Sequence, residues 1–197
     1  GVALNRAGTS FPVGKVNFIQ MYPVTFKEYL RAADEKLYSY AENISRIDSL
    51  PEVVANKMEE QYRAYQICGG LPYITSAMLE PQGMEVIEER LQEMLHSYSN
   101  DFSKHVEQKD IARIHEIWAS LPSQLSRENK KFIFRVIREG ARAREYDAAL
   151  QWLILAGMVY KVVVSEKPQL PLSFYEDTTC FKVYMLDIGL LRKLSRL

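Results

Sequence analysis

The sequence predicts a mainly α protein with a small β component: a run of helices followed by a winged-helix-like domain with a β-hairpin. Three observations predict it. Met84, Ile87, Leu91, Met94, Leu95, Tyr98 and Phe102 recur at helical spacing as one apolar stripe, with Glu85, Glu88, Glu89 and Glu93 off it. Three further helix-period segments lie between Ile111 and Ile154, punctuated by Pro122, Gly140 and Gly157. Beyond them, Met158–Val164 alternates and then becomes a β-branched run, and Phe181–Leu186 is a second strand-like run.

Taken in order, Val16–Gln20 reads as a short strand. Thr25-Phe26-Lys27-Glu28 then carries the capping-box pattern, in which Thr25 caps a helix running to about Ala33 and Glu28 reaches back. Residues 32–105 read as helical. Val53, Val54, Met58, Tyr62 and Tyr65 keep helical spacing after Pro51, a residue suited to a first turn. Gly69-Gly70-Leu71-Pro72 breaks the chain, as a left-handed helix end does. The acidic residues that follow Pro81-Gln82-Gly83 favour the start of the long amphipathic helix through its dipole.

In residues 106–197, Ile111, Ile114, Ile117, Trp118 and Leu121 give a first helix closed by Pro122. Phe132, Val136 and Ile137 give a second, ending at Gly140. Tyr146, Ala149, Leu150, Leu153 and Ile154 give a third, ending at Gly157. The two strands follow around a turn at Ser165–Pro171, and a last helix covers Ile188–Leu194. Three helices and a hairpin in this order is the winged-helix arrangement, whose third helix is the usual recognition helix.

Two functional readings attach to that helix. Lys130, Lys131, Arg135, Arg138, Arg142 and Arg144 stand against Glu139 alone, a cluster able to contact nucleic-acid phosphates. The bland alternative is a solvated face with Arg144, Glu145 and Asp147 pairing locally. The outward face of the third helix carries Arg144, Asp147, Ala148, Gln151, Trp152 and Leu155. Phosphate repels Asp147, and Trp152 with Leu155 is an apolar pair where a groove reader needs amides and guanidinium groups. Gln151, Trp152 and Leu155 therefore read first as a protein interface, with nucleic acid as the alternative.

Composition excludes other classes. The 197 residues are 47% hydrophobic, enough for a proper core, and carry 25 basic against 25 acidic residues, so no global charge draws the chain to nucleic acid or to a membrane. Cys68 and Cys180 have no metal-ligand spacing and read as reduced thiols of a cytoplasmic protein. No apolar run approaches the roughly 20 residues of a membrane span. Asp101, Ser103, His105 and Asp110 are close in sequence, but adjacency alone makes no triad, and Lys104 with His105 suits a helix end. His115-Glu116 lacks the second histidine of a zinc helix. No catalytic, cofactor or metal residue is assigned.

Leu121–Val164 resembles a segment of the prokaryotic, archaeal-type AAA-superfamily predicted ATPases that carry a C-terminal domain of unknown function. SFPVGKVNFIQMYPVTFKEYL (Ser10–Leu30), ICGGLPYIT (Ile67–Thr75), SYSNDFSKH (Ser97–His105) and CFKVYMLDIGLL (Cys180–Leu191) look like the same family in the same order. The resemblance implies that residues 1–31 are a remnant of the ATPase core, 32–105 its helical lid, and 106–197 the winged-helix-like domain. It also implies that the parent protein uses ATP and Mg. This chain lacks the phosphate-binding loop: Gly8-Thr9-Ser10-Phe11-Pro12-Val13-Gly14-Lys15 has one residue too many, and Val16 stands where a hydroxyl belongs. The expectation is therefore a non-catalytic C-terminal part whose partners are the rest of the parent ATPase, a protein, or DNA. Oligomers would form through the exposed N-terminal strand. The nuclease-like domain that often follows in such proteins has no motif here.

Overall fold

The computed structural model describes residues 19–44, 50–80, 83–105 and 108–197, without the side chains at 103–105 and 109. It is mainly helical with one small antiparallel sheet; among the described residues there are nine helices and two strands. Most of the strand expected at Val16–Gln20 lies outside the described residues, and Ile19 and Gln20 belong to no regular element. By packing, the described chain falls into two units, one of residues 96–186 and one of 19–95 with 187–197.

In the second of these units, α1 (Phe26–Ala33) starts as its sequence dictates. Thr25 Oγ1 accepts from the Glu28 N–H at 3.3 Å, and the Glu28 carboxylate accepts from the Thr25 N–H at 2.8 Å. Asp34 caps α2 (Glu35–Glu42) by accepting from the Leu37 N–H at 2.9 Å. α3 (Glu52–Cys68) follows Pro51, and α4 (Pro72–Leu79) begins on its own proline. Phe26 packs edge-on against Tyr62 at 5.1 Å and tilts against Tyr65 at 5.6 Å, tying α1 to α3. The unit boundary at 95/96 falls inside α5 (Met84–His105). α9 (Ile188–Leu194) packs on α3 and is held to α5 by Glu88, which pairs with Arg192 and, at 2.7 Å, with Lys193.

In the other unit, α6 (Gln108–Leu125) runs through Pro122 instead of closing there. Proline removes one backbone hydrogen bond, and the loss is tolerated because the helix ends within a turn, where Ser126 N–H still reaches Pro122 O at 2.9 Å. The second expected helix shrinks to one turn, α7 (Phe134–Ile137), because its leading residues are used as an extended segment. α8 (Ala143–Leu155) buries Tyr146, Ala149, Leu150 and Leu153, the i, i+3, i+4, i+7 stripe of a core-facing helix, against α6. Burial of Leu150 and of Leu153 contributes about 1.5–3 kcal/mol each. Gly157 supplies the positive φ of +70° that ends the helix and turns the chain into the sheet.

β1 (Val159–Ser165) pairs with β2 (Glu176–Met185) from Val159↔Met185 to Val163↔Phe181, after which the register jumps to Val164↔Asp177. Asp177 braces the irregularity: its Oδ1 accepts from the Thr179 N–H at 2.8 Å and from the Thr179 hydroxyl at 2.6 Å. Alternation puts Phe181, Val183 and Met185 inside and leaves Tyr160, Val162 and Val164 outside.

Candidate functional site: the outward face of α8 and its basic approach

The approach to α8 is built by a side chain acting as a strand. Gln124 is 1% exposed. Its Nε2 donates to Ile133 O at 2.9 Å and its Oε1 accepts from the Ile133 N–H at 3.0 Å, so both backbone groups of Ile133 are satisfied by one amide. On the other side the Phe132 N–H donates to Phe181 O at 2.9 Å, and the two rings stack at 5.6 Å. The segment 131–133 is thereby laid between α6 and β2, and it delivers Lys130 and Lys131 ahead of α7. Lys130 has a positive φ of 51°. Arg135 and Arg138 are exposed on and just after α7, Arg142 is the residue before the first turn of α8, and Arg144 lies in that turn.

Among the described residues none of these six cations forms an ion pair within 4.0 Å, so the local pairing of Arg144 with Glu145 or Asp147 does not occur. Lys131 does act at longer range, helping to hold the Asp177 carboxyl below its usual value, though the Thr179 hydrogen bonds do most of that.

Arg144, Asp147, Ala148, Gln151 and Leu155 are all exposed and follow the i, i+3, i+4, i+7, i+11 spacing of one stripe. Leu155 is 86% exposed. Trp152 is placed differently: it is half-buried, its ring edge-on to the fully buried Phe102 at 5.6 Å. Trp118 and His115 surround the same Phe102 ring at 5.6 and 5.4 Å. Beneath the stripe the Tyr146 hydroxyl donates to Glu116, fixing α8 on α6; burial and that carboxylate raise the Tyr146 pKa. Gln124 and the Tyr146–Glu116 pair had no signal in the sequence beyond a glutamine and a tyrosine at helical core spacing.

The Cys68 thiol is fully buried and pushed up to about 12 by that burial, which leaves it protonated and unreactive. Ser99 and His115 meet at 3.4 Å. Among the described residues no three His, Cys, Asp or Glu gather as a metal site, and no helix is long and apolar enough to cross a membrane.

Residues 59–197 match the family described as a domain of unknown function, DUF8612, and the chain belongs to that family. Comparison with curated proteins and with solved structures yields no match.

Proposed function

We propose that this chain is a non-catalytic, cytoplasmic docking module in which α8 and the hairpin of a winged-helix-like domain contact protein. The observation that carries this reading is the α8 stripe, where Asp147 and the 86%-exposed Leu155 occupy positions at which a groove reader would place amides and guanidinium groups. The order α6, segment 131–133, α7, α8, β1, β2 supports the winged-helix comparison. On the resemblance to archaeal-type AAA ATPases, the surface docked is the rest of the parent ATP-binding protein.

The test is Leu155→Ser, a change at an exposed position that leaves folding intact. Binding of the chain to the separately produced remainder of its parent should weaken by about tenfold or more. Unchanged binding sinks the reading. The six unpaired cations favour a second reading, contact with a nucleic-acid backbone. That reading requires duplex binding that falls steeply with salt and disappears in Arg142→Glu/Arg144→Glu.

A further inference from the structure

We draw no further inference here: the strongest candidate, the tip of the β1–β2 hairpin with Leu170 and Phe174 exposed, is an unpartnered apolar surface, and nothing in the structure shows what covers it.

Discussion

The Asp187 carboxylate accepts a hydrogen bond from the Gly70 N–H at 2.6 Å, across 117 residues of sequence. Its other oxygen accepts from the Leu190 N–H at 3.0 Å, so one buried side chain caps α9 and ties it to the turn after α3. The fit leaves no room. A Cβ on Gly69 would stand 2.2 Å from Asp187 Oδ1, one on Gly70 would stand 2.1 Å from Val24 O, and one on Gly189 would stand 2.5 Å from Cys68 O. Val24 completes the knot, its N–H donating to Gly70 O at 2.7 Å while its own oxygen accepts from the Tyr65 hydroxyl at 2.8 Å.

Gly69→Ala should therefore be severe. Gly69 has φ 73° and ψ −163°, a region open to glycine and strained for other residues by about 1–3 kcal/mol, before the collision with Asp187 is counted. Urea denaturation should show a loss above that range, and a loss within experimental error would mean that the turn relaxes freely.

Asp187 makes a prediction in pH. Burial raises its pKa above the ordinary 3.8, against the opposing pull of the N–H groups of Gly70, Leu190, Gly189 and Leu71. A carboxyl with a raised folded-state pKa adds stability at low pH that is lost as pH rises through the folded value. The stability gap between the unmodified chain and Asp187→Asn should accordingly widen as pH falls through that elevated pKa toward the ordinary 3.8. A gap that narrows on acidification would show that the N–H groups outweigh burial. At neutral pH the asparagine, whose amide must face one of the N–H donors, should already cost roughly 1–3 kcal/mol.

Gln124→Leu keeps the bulk of the side chain and removes both hydrogen bonds to Ile133. Ile133 O keeps its bond from the Val136 N–H at 3.0 Å, so only the Ile133 N–H loses its partner, at a cost of about 1 kcal/mol or somewhat more. The measurement is denaturant unfolding alongside hydrogen exchange at Ile133, whose amide should lose protection while Leu150 in α8 keeps its own.

Trp152→Ala and Leu155→Ser should separate although both lie on the outer side of α8. The Trp152 ring leans on Phe102, so its removal should lower stability by about 2 kcal/mol, part of the full cost of losing a buried aromatic. Leu155→Ser should change stability by less than about 0.5 kcal/mol, as exposed positions do. Equal effects would contradict the assigned burial.

Much of the local architecture was legible because its causes are local. Thr25 and Glu28 announce their cap three residues apart, α8 shows its buried stripe in its own spacing, and Gly157 marks its end. Pro122 misled because a proline signals a helix end without saying which turn, and the bond it removes matters little near a terminus. α7 was read too long because Phe132 looks like a helix residue, whereas its N–H goes to Phe181. The Gly70–Asp187 bond was illegible: each end explains itself locally, one as a turn and the other as an N-cap. The exposed stripe of α8 shows in its spacing, but no periodicity tells that Trp152 leans inward while Leu155 stays in water.

The partition of the chain has a consequence for synthesis. Among the described residues, 96–186 form their unit from one continuous stretch, whereas the other unit joins 19–95 to 187–197. On the ribosome the continuous unit can close as soon as it emerges. The earlier helices must wait, with the Gly70 N–H lacking its acceptor and the Cys68 face of α3 uncovered, until Asp187 and α9 follow. Residues 19–95 are thus made before they can become native, and in that interval they are the part that a chaperone or protease would meet.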